Sequence, residues 1–236
     1  MTIKSSILVF AKTPDPGLVK TRLIPFIGKQ KAAELHSAMV VQSVSIAALS
    51  QNQHRDLQLW CAPNTSHPLF YRLQRDYALS LNQQLGDDLG IRMYQAFYQA
   101  LMDHDQVVII GTDCPSLTAE LIEQAFHALT TNDAVIVPAE DGGYVLLGLK
   151  KASLELFTGI TWGTDHVYTQ TVERFQQLGL TWEELPWQWD VDRPVDLERL
   201  VRVYHHSNLH PDLWSVIAGL NITEKESRAV VGEKEK

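Results

Sequence analysis

A chain of 236 residues can close a hydrophobic core without disulfides or a structural metal, and at this length one large domain is expected. Hydrophobic residues make up 45% and charged residues 20%, which excludes collagen-like, coiled-coil and wholly disordered classes. Twenty basic residues stand against 28 acidic ones, a net charge of −8, and that sign argues against nucleic acid as a partner.

A small anionic ligand remains compatible, because it needs only a local positive pocket. Residues 1–33 hold Lys4, Lys12, Lys20, Arg22, Lys29 and Lys31 against one acid, Asp15. Cys61 and Cys114 form no disulfide framework and lie in apolar surroundings, so buried free thiols are expected. No uninterrupted apolar run reaches the roughly 18 residues of a membrane span, and the short run Ile7–Ala11 is broken by Lys12. The expected location is cytoplasmic.

In chain order, Ser6–Ala11 reads as a buried strand followed by a turn-rich loop, Lys12-Thr-Pro-Asp-Pro-Gly17. A helix follows over 28 to about 50, with Leu35, Met39, Ile46 and Leu49 on its packed face. Leu57–Ala62 is a strand, a weaker alternation surrounds Tyr77–Leu81, and 88–103 is helical through Leu89, Met93, Phe97 and Leu101. Val107–Ile110 is a wholly apolar strand, as expected of one covered on both faces. Thr118 caps the next helix, whose inner stripe is Leu121, Ala125 and Leu129. Ala134–Val137 and Tyr144–Leu149 are extended on either side of a glycine-rich break. Thr164 is expected to cap a helix with Val167, Thr171, Phe175 and Leu178 inside. Partial alternation marks 181–189, with Trp187, Trp189 and Val191 on one side. Pro194 opens a helix carrying Leu197, Leu200 and Tyr204, and Pro211 opens a short one. Alternating strands and helices give an α/β fold with a mostly parallel sheet in one domain, residues 1–220, and a polar, frayed tail, 221–236.

Three polar segments, Lys12–Arg22, Gly111–Pro115 and Glu140–Gly143, fall where such folds bind ligands, at the carboxyl ends of strands, and Asp190–Asp192 adds a fourth candidate. The loop Lys12–Arg22 combines Lys12, Lys20 and Arg22 with Gly17, a shaped cationic loop suited to phosphate. It is not a P-loop, because Val19 stands where that motif needs the glycine before its lysine. Asp113 follows a buried strand and can reach a divalent ion. Asp190 and Asp192, two apart, point the same way along an extended segment and can complete a clamp on metal and diphosphate. Asp141-Gly142-Gly143 places a carboxylate beside two glycines, leaving room for a hydroxyl-bearing ligand. Each segment also has a plainer reading: a solvated loop, a helix-capping aspartate, a strand ending or a hairpin turn.

The strings Phe10-Ala-Lys-x-Pro-x-Pro-Gly-x-Val-Lys-Thr-Arg-Leu23, Gly111-Thr-Asp-Cys-Pro-x-Leu117 and Asp141-Gly-Gly-Tyr-x-Leu-x-Gly148 resemble a glycosyltransferase-like family of the DUF2064 type. Gln84-x-Gly-Asp-Asp-Leu-Gly-x-Arg-Met93, Trp162-Gly-Thr164 and Asp190-x-Asp-x-Pro-x-Asp-Leu197 are similar to its later motifs. The resemblance spans roughly 6–200 and extends distantly to molybdenum-cofactor and phospholactate nucleotidyltransferases. It implies a three-layer αβα sandwich, the nucleotide-diphospho-sugar transferase (GT-A) fold. It also implies Mg2+ or Mn2+ on Asp113 with Asp192 or Asp190, and phosphate contacts from Lys12, Lys20 and Arg22. Gly86, Asp87 and Arg92 would border the nucleotide or sugar, and Asp141, Gly142 and Gly143 the sugar or acceptor. Two departures stand out: Thr112-Asp113-Cys114 has one acid where metal-dependent glycosyltransferases have Asp-x-Asp, and the nucleotidyltransferase glycine signature is replaced by the Lys12–Arg22 loop.

The leading expectation is a metal-dependent transferase with a nucleotide-sugar donor and a small-molecule hydroxyl acceptor, Asp113 and Asp141 carrying the catalysis. Nucleotidyl transfer from an NTP to a phosphorylated acceptor is the first alternative, and a non-catalytic nucleotide-binding protein the second. A homodimer is left open.

Overall fold

The computed structural model describes residues 2–204 and 209–220. Seven strands form one sheet: β1 (Ser5–Lys12), β2 (Arg55–Ala62), β3 (Ser80–Gln83), β4 (Gln106–Ile110), β5 (Ala134–Pro138), β6 (Tyr144–Leu149) and β7 (Trp182–Glu184). Their spatial order is β3-β2-β1-β4-β6-β5-β7. Strand β6 runs antiparallel to β4 and β5, and the other pairings are parallel. The helices are α1 (Ile24–Leu49), α2 (Pro68–Tyr77), α3 (Leu89–Ala100), α4 (Ala119–Thr131), α5 (Val167–Gln177), α6 (Pro194–Tyr204) and α7 (Pro211–Ala218).

The period-two alternation of the strands divides the core. Ile7 and Val9 of β1 pack with Val44 of α1, Phe70 of α2 and Ile122 of α4 on one face. Leu8 belongs to the opposite cluster, with Trp60, Phe97 of α3 and Phe175 of α5. The result is a three-layer α/β sandwich, as the resemblance implied. A third cluster joins Leu35 and Met39 of α1 to Leu197 and Leu200 of α6, Leu213 and Ile217 of α7, and Trp189 and Val191. The segment Thr21–Leu49 is long and apolar enough to cross a membrane by length and composition, but 67% of its most apolar window is buried within the fold. Cys61 and Cys114 are buried and free, and burial pushes their thiols up to about 12 and about 11.

Topology positions the site. Parallel connections carry the chain outward through β1, β2 and β3, and the chain then returns to the other side of β1 as β4, so the order reverses between β1 and β4. Such a switch point leaves a crevice at the carboxyl ends of the two strands. The short turn between β5 and β6 forces an antiparallel return, since a parallel one needs a crossover of a dozen or more residues. That return puts residues 139–143 at the same edge. Ala139 pairs with Gln188, and Val191 N donates to Asp113 O at 2.8 Å, which draws 188–192 to that edge too.

Several sequence expectations need correction. Helix α2 is an element that the sequence pattern does not announce; its ten residues bury only Leu69, Phe70 and Leu73. Helix α1 starts at Ile24, and Gly28, at φ 78°, kinks it. Leu49, Leu89 and Leu178 were placed on inner faces but are exposed, each lying at or just past a helix end. Helix α5 is preceded by His166 as cap, while the Thr164 hydroxyl accepts from His166 N one turn earlier. The alternation over 181–189 reduces to Trp182–Glu184, because β7 has only the short β5 to pair with, and Trp187 is half-exposed, unlike buried Trp189 and Val191. The side chain of Tyr204 and the proposed tail lie outside the described residues.

Candidate functional site

The loop after β1 is shaped by its own turn chemistry. Thr13 Oγ1 donates to Asp15 Oδ2 at 2.5 Å, and Leu18 N donates to Asp15 O at 3.0 Å. Gly17 sits at φ 92°, a region that favours glycine, with open space where a Cβ would stand. The positive φ alone accounts for glycine at this position. Lys20 takes the left-handed conformation (φ 47°, ψ 43°) and turns its side chain inward.

That side chain, 3% exposed, ends at 2.6 Å from Asp113 Oδ1, and Nζ donates to Val191 O at 2.5 Å. Two residues on, Arg22 Nη1 meets Asp192 Oδ2 at 2.5 Å on the surface. The structure thus joins the expected phosphate cations to the expected metal carboxylates, pair by pair. His36 of α1 lies beneath Asp113. Its Nε2 is 3.1 Å from the Lys12 carbonyl, so Nε2 carries the proton. Nδ1, 3.9 Å from Asp113 Oδ1, is the one buried side-chain polar atom without a hydrogen-bond partner among the described residues. Desolvation lowers the His36 pKa and favours the neutral ring. Desolvation works to raise Asp113, but the opposing pull of Lys20, His36 and Lys12 holds it below its ordinary value.

On the other side, Asp190 is pushed up to about 6, first by desolvation and then by the charge of Asp141, with Asp113 adding to it. Asp190 therefore shares the field of Asp113 and Asp141, whereas Asp192 is turned to Arg22. Asp141 is exposed and accepts from Gly143 N at 2.9 Å. Gly142, at φ 89°, is packed against the backbone of Asp165, and Tyr168 N donates to Gly142 O at 2.9 Å. Its missing side chain makes room for protein, not ligand.

A cleft of about 250 Å³ opens at the carboxyl ends of β1, β2 and β3, lined by Lys12, Thr13, Leu18, Val19, Ala62, Pro63, Gln84 and Arg92. Gly86, at φ 135°, packs on Ile91, and its carbonyl accepts from Arg92 Nε at 2.8 Å, which fixes the guanidinium. Asp87 is exposed; its neighbour Asp88 caps α3 through Ile91 N at 2.8 Å. Lys12 and Arg92 are the cations of this cleft, and neither forms an ion pair among the described residues. Gln84 is the most defined polar group here. Its Nε2 donates to Trp60 O at 2.8 Å and Ala11 O at 3.3 Å. Both amide hydrogens are engaged, so Oε1 is left as an oriented acceptor for an occupant of the cleft.

The cations of the first 33 residues do not form one patch. Lys31 Nζ donates to the Gly219 carbonyl after α7, and only Lys12 of the six lines the cleft.

Residues 45–164 match the model of a family described as "Uncharacterized protein conserved in bacteria (DUF2064)". The chain belongs to this family. A protein from Desulfovibrio desulfuricans, provisionally described as a nucleotide-diphospho-sugar transferase, is 34% identical over 94% of this chain and all of its own, with a TM-score of 0.81. The 4-diphosphocytidyl-2C-methyl-D-erythritol synthase of Anaerococcus prevotii is 12% identical, with a TM-score of 0.57 over 86% of this chain and 97% of its own. Glucosyl-3-phosphoglycerate synthase of Mycobacterium tuberculosis, solved with Mn2+, UDP and glucosyl-3-phosphoglycerate, is 13% identical, with a TM-score of 0.50 over 92% and 80%. No curated protein matches. This DUF2064 chain has the fold of glycosyltransferase-like and nucleotidyltransferase-like enzymes.

Proposed function

We propose that this DUF2064 protein is a transferase that binds a nucleotide-sugar in the Lys12–Arg92 cleft and passes the sugar to a hydroxyl acceptor on the Asp141 side. The observation that carries it is the arrangement at the carboxyl ends of the parallel strands. An unpaired cationic cleft with a fixed acceptor at Gln84 lies next to carboxylates from three separate chain segments. Lys12 and Arg92 meet the diphosphate as point charge and fork. Leu18, Val19, Ala62 and Pro63 offer apolar surface to a base, and Gln84 Oε1 accepts from a base N–H.

The donor set suits a divalent ion that arrives with its substrate. Asp113, Asp190 and Asp192 supply hard oxygens, and burial followed by the charge of Asp141 raises Asp190. Among the described residues no three metal-ligating side chains stand close enough to hold an ion by themselves, so diphosphate oxygens would complete the shell. Mg2+ or Mn2+ held by Asp113 with Asp190 or Asp192 would neutralise the charge that develops on the leaving diphosphate. The acceptor oxygen attacks the anomeric carbon, the bond from that carbon to the diphosphate oxygen breaks, and Asp141 takes the acceptor proton. Lys12 and Arg92 hold the departing nucleoside diphosphate.

Titration calorimetry with UDP, GDP, CDP and ADP in Mn2+ is expected to show binding of at least one of them. Lys12→Ala should then weaken it about tenfold or more. Gln84→Leu should cost roughly 1–3 kcal/mol of affinity and flatten the preference among bases. Equal affinities in the native protein and both variants would remove the nucleotide from this cleft.

A further inference from the structure

Lys20 and Arg22 are absent from the cleft lining and instead hold Asp113 and Asp192. The two cations come from one loop, and the two acids from segments tied together by the Val191 N to Asp113 O hydrogen bond. We infer that these ion pairs close the carboxylates against a lone divalent ion, and that metal and diphosphate bind together by exchanging them. The inference rests on the nucleotide site proposed above and concerns how that site is gated.

Charge balance favours joint binding. A divalent ion arriving alone meets the Lys20 ammonium at Asp113 Oδ1, and taking that oxygen would leave an almost wholly buried ammonium with only the Val191 carbonyl. A buried charge that loses its partner is strongly unfavourable. A diphosphate arriving alone finds Lys20 and Arg22 engaged, and it adds negative charge beside Asp113, Asp190 and Asp141. Arriving together, the ion takes the carboxylates and the diphosphate takes the released cations, so every charge keeps a partner. The left-handed backbone of Lys20, unusual for a residue with a side chain, fits a loop held in place by its own ion pair. Lys12 also acts on Asp113 but forms no ion pair among the described residues, so it can attract diphosphate without gating metal. His36 faces the same oxygen of Asp113 from α1, and the charge of Asp190 also acts on that carboxylate.

Coupling between two ligands must be reciprocal, and this makes the inference measurable. Free Mn2+ is followed by electron paramagnetic resonance in titrations with and without UDP or GDP. In the native protein Mn2+ should bind weakly alone and about tenfold or more tightly with the nucleotide, and the nucleotide should gain by the same factor. Arg22→Gln changes an exposed pair and should leave the fold intact. It should raise the affinity for Mn2+ alone about fivefold and shrink the coupling correspondingly. Lys20→Met should move both quantities further in the same direction while lowering nucleotide affinity. Lys12→Gln removes an equal charge near Asp113 without freeing a carboxylate, and should raise the affinity for Mn2+ alone by less. Unchanged Mn2+ affinity in Arg22→Gln, or an equal rise in Lys12→Gln, overturns the exchange. Nucleotide binding indifferent to chelator also overturns it while leaving the nucleotide site standing. Failure of the native protein to bind any nucleotide overturns the site and the exchange with it.

Discussion

Gly142→Ala is expected to destabilise the protein by about 2–4 kcal/mol and to abolish transfer activity. An added Cβ would lie 2.2 Å from Asp165 O and 2.6 Å from Asp165 Cα, both backbone atoms that cannot rotate away. The φ of 89° adds strain for any residue with a side chain. Relief requires the turn 139–143 to separate from the start of α5, breaking the bond from Tyr168 N to Gly142 O and moving Asp141. Gly17→Ala is the matched control, since its φ is also positive but its surroundings are open. Denaturant unfolding of the two variants checks this: a Gly142→Ala loss no larger than that of Gly17→Ala would mean the turn is not packed as described.

Asp113→Asn should lower transfer at least a hundredfold while costing only about 1–3 kcal/mol of stability. The two losses have different causes. Stability falls because the buried Lys20 ammonium loses its counter-charge, yet the Asp113 side chain is 52% exposed, so water screens much of that interaction. Activity falls because asparagine keeps the shape but not the charge that attracts a divalent ion. A thermal melt and a turnover measurement on the same preparation separate the effects. Near-native turnover in a folded Asp113→Asn protein would remove this carboxylate from the chemistry.

The sequence made much of the sandwich legible because strands β1, β4 and β5 announce themselves as short apolar runs and their faces follow from alternation. Strand β6 is equally apolar, and nothing local to Tyr144–Leu149 reveals that it inserts antiparallel between β4 and β5. Helix α2 was missed because three buried residues in ten give little periodicity, although Pro68 at its first position was a usable start signal. The site shows the same divide. Lys20, Arg22, Asp113 and Asp192 were all singled out by type and position. Their pairing was not, because Lys20 reaches Val191 across 171 positions and Arg22 reaches Asp192 across 170, and only the topology brings them together. Gln84 looked unremarkable in sequence, since its value lies in two carbonyls of neighbouring strands that fix its amide. His36 likewise sat unnoticed on α1, where one histidine among nine carries no ligand spacing.

Sugar transfer from a nucleotide-sugar by the cleft and the carboxylates is tested by incubating the native protein and Mn2+ with a panel of UDP-, GDP-, CDP- and ADP-sugars, in parallel with NTPs and phosphorylated acceptors, and separating the products by anion exchange. Release of a nucleoside diphosphate from one nucleotide-sugar, slow without acceptor and suppressed in Asp113→Asn, is the predicted result. Pyrophosphate formed from an NTP and a phosphorylated acceptor, with every nucleotide-sugar left intact, would contradict it and assign nucleotidyl transfer instead.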